Sequence, residues 1–335
     1  MKAIVIDAAK TLHWKDVPDP VMADGEVLVE IHAAAVNRAD LMQRQGKYPP
    51  PPGAPDWMGL EAAGIIKELS PKAASSGRWK KGDQVCALLG GGGYAEMVSV
   101  REDMVMPIPR GLKMTEAAAL PEVYATSYLN LFLEGHLEAG QTAFIPAGAS
   151  GLASAAIPIA KAFGARVITS VLSDEIAAAI KDLGADLIIN SKKQKTPEVL
   201  KAESEAGHPV NVAMDCLAGQ DVGDSLPYMA RGGYWILLSV LAGPTTTVSL
   251  WPLITGGVHL VGSTLRSRTP DMKGRILSDL VKNVWPKIEA GQIKPRVCAV
   301  FPIQEAEKAQ EMMEQGRSIG KIVLEINPVL QGKKL

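Results

Sequence analysis

The sequence predicts an α/β protein of two domains, a β-rich one interrupted by a doubly wound parallel-sheet domain. Three observations predict it. The chain has 335 residues, more than one compact core usually holds, since domains cluster near roughly 150 residues. Hydrophobic residues make up 47% of it, yet there are only 6 Trp, 6 Tyr and 4 Phe. The apolar mass is therefore aliphatic, as buried parallel strands and the helices packed on them require. Finally, strands and helices alternate from Glu122 onward, whereas the chain up to Arg110 reads mostly as strands broken by Pro and Gly.

Taken in order, residues 26–36 (EVLVEIHAAAV) alternate over their first half and read as a strand, as do the short runs 61–69 and 83–89. Pro18, Pro20, Gly25, Gly53 and Gly82 punctuate them, and Gly90 to Gly93 reads as a mobile hairpin turn. Asn37 opens a polar helix that runs into a proline-stiffened loop presenting Tyr48. A helix over 122–134 leads into the apolar run 142–146, a small-residue turn, and an alanine-rich helix to Lys161. Pro158 lies inside that helix, where its missing donor predicts a kink. Strands follow at 165–170, 186–190, 210–216 and 233–240, with helices at 174–183 and 221–229 between them. Alternation at this interval means βαβ units and a parallel sheet. Beyond Gly262 the pattern is mixed: helix 272–290, strand 297–301, helix 305–315 and strand 321–325, a tail expected to return to the first domain.

Thirty-five basic and 36 acidic residues leave a net charge of −1, which argues against nucleic acid as the main partner. Cys86, Cys216 and Cys298 lie far apart with no C-x-x-C pair. No disulfide framework or cysteine-rich zinc site is expected, and a reducing, cytoplasmic setting is. The apolar run near Met1 is too short for a signal peptide. Residues 141–160 carry no charge, but Pro146, Gly148, Ser150, Gly151, Ser154 and Pro158 interrupt them. A buried segment of a soluble protein is expected there rather than a membrane span.

The clearest chemistry lies at Ala147-Gly148-Ala149-Ser150-Gly151-Leu152-Ala153. It follows a predicted strand and opens a helix, the context that makes a glycine turn a dinucleotide site. Small residues allow a tight turn, let backbone N–H groups approach a pyrophosphate, and set that anion at a helix N-terminus. Ala147 and Ala153 stand where glycines are expected, alanine being an accepted variant at the second. A tight strand–helix turn without ligand is the alternative. About 20 residues past Gly151 the second strand ends at Ser170-Val171-Leu172-Ser173-Asp174-Glu175. An acid at this tip holds the ribose hydroxyls of NAD, and a base nearby accepts the extra phosphate of NADP. Asp174 and Glu175 also suit the first turn of a helix capped by Ser173, so NADH and NADPH both stay open.

The run Asn37 to Gly46, Pro121-Glu122, the Ala147 to Ala153 turn, Leu265-Arg266-Ser267-Arg268 and Ile319-Gly320-Lys321-Ile322-Val323-Leu324 together carry a family likeness. The chain resembles the medium-chain dehydrogenase/reductases, specifically the zinc-independent quinone oxidoreductases, and is most similar to the branch typified by the tumour-suppressor-induced quinone oxidoreductase. The resemblance implies a GroES-like β-rich catalytic domain over residues 1–121 and 263–335 and a Rossmann domain over 122–262. It implies hydride transfer from NADPH or NADH to a quinone or related α,β-unsaturated carbonyl (an enone) in a cleft between the domains, by positioning rather than covalent chemistry. It also implies a homodimer formed through the edge strand near 251–262. Enoyl-thioester reduction, and a dinucleotide-binding structural or adaptor role without turnover, are the alternatives.

The zinc-dependent relatives place a zinc-binding Cys where this chain has Asn37, a His where it has Leu60 before Glu61, and a lobe of four cysteines that it lacks. With neither thiolate nor imidazole at those positions no zinc is expected, and reduction of an activated acceptor is favoured over alcohol oxidation. By position, the resemblance places Asn37 and Tyr48 beside nicotinamide and substrate, as hydrogen-bond donors to the acceptor oxygen. Thr126 lies near the nicotinamide. Ser150, Gly151 and Leu152 supply amides to the pyrophosphate, with Ala147 and Gly148 completing the turn. Val171, Ser173 and Ser191 frame the adenosine ribose, while Ser239, Val240 and Leu265 flank the nicotinamide. The family's phosphate-gripping Lys and Tyr positions are Ile176 and Ser191 here, with Lys192, Lys193 or Arg317 left to compensate.

Overall fold

The computed structural model describes residues 1–327. Seven strands come first: β1 (Lys2–Ile6), β2 (Leu12–Asp16), β3 (Glu26–Ala35), β4 (Glu61–Leu69), β5 (Gln84–Leu88), β6 (Met97–Arg101) and β7 (Val105–Pro107). Next are β8 (Thr142–Ile145), β9 (Arg166–Val171), β10 (Leu187–Asn190), β11 (Val210–Asp215), β12 (Met229–Leu237) and β13 (His259–Gly262), followed by β14 (Val297–Pro302) and β15 (Lys321–Glu325). The chain divides into two compact units. One comprises Met1–Val123, Thr269–Glu289 and the described residues from Pro295 onward; the other comprises Tyr124–Arg268 and Ala290–Lys294.

In the first unit a seven-stranded sheet runs β14-β15-β3-β4-β5-β7, with β6 added to β3, and β1 and β2 form a separate hairpin. Its centre is β3, where Val27, Val29 and Ile31 are buried at alternate positions before a fully buried Ala33-Ala34-Ala35. Those small side chains lie where β4 and β15 flank the strand. On β4, Gly64 faces Ile31, and a Cβ there would sit 2.0 Å from the Glu30 carbonyl oxygen.

The second unit holds six parallel strands in the order β10-β9-β8-β11-β12-β13, the doubly wound order whose switch point falls between the first and fourth strands, β8 and β11. Phe144, Ile168, Ile189, Ala213 and Trp235 pack with Leu200 and Val222 from the covering helices Thr196–Glu205 and Gln220–Ser225. The predicted α/β class, a doubly wound parallel sheet with a β-rich partner domain, is thus what the chain forms. Among the described residues no helix is long and apolar enough to cross a membrane.

Several expected elements differ. Gly90 to Gly93 is no mobile hairpin: Gly91, Gly92 and Gly93 are buried. Gly92 donates to Trp57 O (2.9 Å) and Gly93 to Gly59 O (3.0 Å), and a Cβ on Gly93 would approach the Gly59 and Glu61 carbonyl oxygens to 3.0 Å. These glycines serve close backbone packing. The helix Gly151–Ala162 runs through Pro158 as one element, with Ala153 to Ala160 buried. The helix expected over 122–134 is α-helical at Pro121–Tyr128 and becomes a π-turn at Leu129–Leu133, where Glu134 N–H donates five residues back to Leu129 O at 2.8 Å. The helix expected over 272–290 is two, Pro270–Asn283 and Trp285–Glu289, broken where Pro286 lacks a donor. Strand β12 starts and ends earlier than expected, leaving Ser239 and Val240 in the loop beyond it.

Candidate cofactor site and buried polar network

In the second unit, the fully buried β8 delivers the chain into the turn at Pro146 to Ser150. Ala147 adopts φ +56°, a left-handed conformation that strains a non-glycine residue by about 1–2 kcal/mol. Gly148 is fixed sterically: a Cβ there would lie 2.5 Å from Thr169 Oγ1 and 2.8 Å from Ile180 Cδ1. Its N–H donates to Ser170 O at 2.8 Å, tying the turn to β9. Ser150 is the N-cap of Gly151–Ala162, its Oγ accepting from Ala153 N–H at 3.1 Å. The N–H groups of Gly151 and Leu152 precede the first i→i−4 bond, and both residues are half-buried. Two helix-start donors behind a turn of small residues are the donor set a pyrophosphate needs, so this chain's residues fit a dinucleotide.

The tips of β9 and β10 are joined: Ser191 N–H donates to Val171 O at 2.9 Å. Ser173 caps the helix Asp174–Ala179 through a 3.3 Å bond from Ile176 N–H. Asp174 Oδ1 accepts from Asn190 Nδ2 at 2.6 Å and its Oδ2 from Lys193 Nζ. At the ends of β12 and β13 lies a pocket of about 400 Å³ lined by Leu238, Ser239, Val240, Ser263, Thr264 and Arg268, among others. The Arg268 guanidinium is held by Glu134 (2.8 Å) and Ser263 Oγ (3.2 Å). Leu265 is buried, and its carbonyl accepts from Arg268 N–H. Thr126 lies on the helix Pro121–Tyr128, its carbonyl accepting from Asn130 Nδ2. The structure thus gathers the turn residues, the strand-tip residues and the loop residues Ser239 and Val240 at strand ends of one unit. Arg317, exposed after the helix Ala306–Glu314, belongs to the other.

In the first unit, Asn37 precedes the helix Arg38–Arg44, which a left-handed Gly46 terminates two residues before half-buried Tyr48. Asn37 is more than a cap. Its Oδ1 accepts from Lys321 Nζ (2.7 Å), and its Nδ2 donates to Glu61 Oε1 (3.0 Å) and Ala35 O (3.3 Å). Lys321 Nζ also pairs with Glu61 Oε1 (2.7 Å) and donates to Val36 O (3.0 Å). Glu61 Oε2 accepts from Glu122 N–H at 2.9 Å. Asp40 accepts from Asn37 N–H (2.8 Å), Tyr94 Oη (3.0 Å) and Gly59 N–H (3.2 Å). Both amide hydrogens of Asn37 are therefore engaged within this network. Glu61, Asp40, Tyr94 and Lys321 are members that sequence reasoning missed, since their partners lie up to 285 positions apart. Leu60, where a zinc ligand stands in the zinc-dependent relatives, is buried. Among the described residues no three His, Cys, Asp or Glu side chains are grouped to hold a metal ion.

Burial, reinforced by the Glu61 carboxylate, raises the Glu122 carboxyl from 4.5 to about 8. Burial also raises Asp40 from 3.8 to about 6, against the hydrogen bonds from Asn37 and Tyr94. Both acids hold their protons more tightly folded than unfolded. The native state therefore carries the excess protons, and stability falls as pH rises through this window. The melting temperature is expected to fall between pH 4.5 and about 8, and Glu122→Gln, which imitates the protonated acid, to flatten the upper part of that fall. Parallel curves for the two proteins would contradict the assignment.

Comparison with known proteins agrees with this geometry. Residues 23–110 match the alcohol dehydrogenase GroES-like domain family, and residues 151–282 the zinc-binding dehydrogenase family. A quinone oxidoreductase-like protein 2 homolog from Nematostella vectensis is 28% identical over 306 residues, covering 90% of this chain and 82% of that protein. Quinone oxidoreductase from Mus musculus is 28% identical over 312 residues, covering 92% of each. Among solved structures, an NAD-dependent alcohol dehydrogenase superposes with TM-score 0.81 at 26% identity, covering 97% of this chain and 100% of the other. A mycobacterial protein complexed with NADPH superposes with TM-score 0.83 at 25% identity, covering 97% and 99%.

Proposed function

Since the chain belongs to the quinone oxidoreductase branch of the medium-chain dehydrogenase/reductase superfamily, we propose that it reduces quinones or related α,β-unsaturated carbonyls without zinc. It is an oxidoreductase of that superfamily, and its cofactor is NAD(P)H. When bound, the nicotinamide supplies the hydride. Gly151 and Leu152 N–H groups hold the pyrophosphate, Val171, Ser173 and Ser191 frame the ribose, and Ser239, Val240, Leu265 and Thr126 border the nicotinamide. One observation carries the choice of reaction: where the zinc-dependent relatives place a thiolate, this chain has Asn37, whose amide is locked between Glu61 and Lys321. Such a position offers an alkoxide no Lewis acid, whereas an activated acceptor needs only hydride and a donor to its oxygen.

Tyr48 is that donor in this reading. Tyr48→Phe is expected to lower kcat/KM for quinones about tenfold, the worth of one hydrogen bond to a developing oxyanion at the low end, with dinucleotide affinity unchanged. Unaltered turnover would remove Tyr48 from the mechanism. The partner is a small molecule, together with a second copy of the chain. Among the described residues β13 pairs only with β12, and Trp251 is 69% and Ile254 73% exposed, with Leu250 and Leu260 also exposed. Apolar surface of this kind along an open strand edge invites strand pairing. Trp251→Glu with Ile254→Glu is expected to halve the sedimenting mass. A wild-type protein that sediments as a monomer would overturn the dimer.

A further inference from the structure

Resting on the quinone-reductase reading above, we propose that the Glu122 carboxyl is the acid that protonates the reduced acceptor, a catalytic role that no other group of the buried network can fill. Hydride addition to a quinone or enone leaves a negative charge on the acceptor oxygen, and the product forms once that oxygen takes up a proton. In this step the carboxylic O–H of Glu122 breaks and the acceptor O–H forms. The carboxylate that remains recovers its proton from water. Tyr48 hydrogen-bonds the same oxygen and keeps its own proton.

The way the network shares its donors leaves the proton on Glu122. Three carboxyls, those of Asp40, Glu61 and Glu122, stand around the buried ammonium of Lys321. An ammonium has three hydrogens, and those of Lys321 go to Glu61 Oε1 (2.7 Å), Asn37 Oδ1 (2.7 Å) and Val36 O (3.0 Å). Glu61 also accepts from Asn37 Nδ2 and from Glu122 N–H, and Asp40 accepts from two backbone N–H groups and Tyr94 Oη. Both have the donors that an anion needs. Among the described residues the Glu122 carboxyl has no hydrogen-bond donor and no ion-pair partner. An acid without donors beside an anion keeps its proton.

Burial first, then the Glu61 carboxylate on β4, favour the neutral acid, and Asp40 on the helix Arg38–Arg44 adds to them. Lys321 on β15 and Lys273 on the helix Pro270–Asn283 oppose them, and the balance leaves Glu122 protonated up to about pH 8. Access then separates the three acids. Asp40 and Glu61 are fully buried, whereas Glu122 is half-buried, so Glu122 is the one that an acceptor reaches. Its N–H ties it to Glu61, and Glu61 holds Asn37, the residue at the position of a zinc ligand in the zinc-dependent relatives. A proton donor at this place neutralises an oxyanion as a Lewis acid would.

The pH profile of quinone reduction by the wild type, Glu122→Gln, Glu122→Asp and Tyr48→Phe tests the proposal. The acid works while protonated, so wild-type kcat is expected to hold level below about pH 8 and to fall about tenfold per unit above it. Glu122→Gln is expected to lose about 100-fold at neutral pH, the low end for general acid catalysis, and to lose the falling limb. Its affinity for NADH and NADPH, read by fluorescence quenching, is expected to match the wild type. Glu122→Asp keeps an acid and is expected to recover part of the rate together with the limb; it reads the same step should the Gln variant fold poorly. Tyr48→Phe is expected to be slower with the limb intact. A purely structural Glu122 would leave Glu122→Gln fully active at neutral pH. That result, or a limb unaltered in Glu122→Gln, would overturn the proposal and leave the quinone-reductase reading standing. A wild type that oxidises neither dinucleotide with a quinone would overturn that reading and the proton donor with it.

Discussion

Lys321→Met is expected to destabilise the first unit by about 3–5 kcal/mol, the cost of leaving one member of a buried ion pair uncompensated. The Lys321 side chain is 4% exposed and that of Glu61 fully buried, and their 2.7 Å contact also organises Asn37. Among the described residues Lys321 is the buried cation set against the carboxyls of Asp40 and Glu61. Without it Glu61 is left without its buried counter-charge, and Asn37 loses the donor that sets its amide orientation. A denaturation midpoint far below wild type should be partly restored by adding Glu61→Gln, because removing both charges is cheaper than removing one. A single variant as stable as wild type, or a double variant worse than the sum of its parts, would show that the pair does not hold the network together.

The second large effect is expected at Gly148. Gly148→Ala places a Cβ where 2.5 Å separates it from Thr169 Oγ1. That hydroxyl cannot swing aside freely, since it donates to Ile145 O at 2.6 Å inside the sheet. Overpacking of this kind costs about 1–3 kcal/mol, and relief is available mainly by moving the turn. The turn carries Ser150 and the helix start, so dinucleotide affinity is expected to fall more than tenfold, a loss exceeding about 1.4 kcal/mol. Calorimetry on the variant checks both numbers. Unchanged affinity with reduced stability would mean that the turn is a structural corner and not the place where the dinucleotide sits.

Much of the fold was legible because the physics acting on it is local. β4 and β15 have the bounds that their apolar runs suggest, and the βαβ alternation led directly to a parallel sheet. Elements without such a pattern escaped. The hairpin of β1 and β2 mixes polar and apolar residues, with β2 reading LHWKD. The helix Thr196–Glu205 buries only Thr196 and Leu200, too few for a periodic signal. Glycine misled at Gly91 to Gly93, where the sequence resembles a flexible turn and the requirement is close backbone approach.

The site divides the same way. The turn at Ala147 to Leu152 could be read because its residues are contiguous, and Ser173 as a helix cap because its partner is three positions away. Asn37 could be singled out as unusual, but its function in the fold depends on Glu61, 24 positions on, and Lys321, 284 positions on. No window of sequence contains all three. Read alone, Lys321 is the first residue of a tail strand, and its burial emerges only when β15 joins β3.

Whether this chain passes hydride to an activated carbonyl without a metal decides its assignment. The most direct measurement is the oxidation rate of NADH and NADPH by a simple quinone, using protein treated with a chelator and shown by elemental analysis to be free of zinc. Quinone-dependent oxidation at an undiminished rate is expected, with no reduction of NAD or NADP by primary alcohols. Turnover that disappears with the chelator and returns with added zinc, or alcohol oxidation in place of quinone reduction, would contradict it.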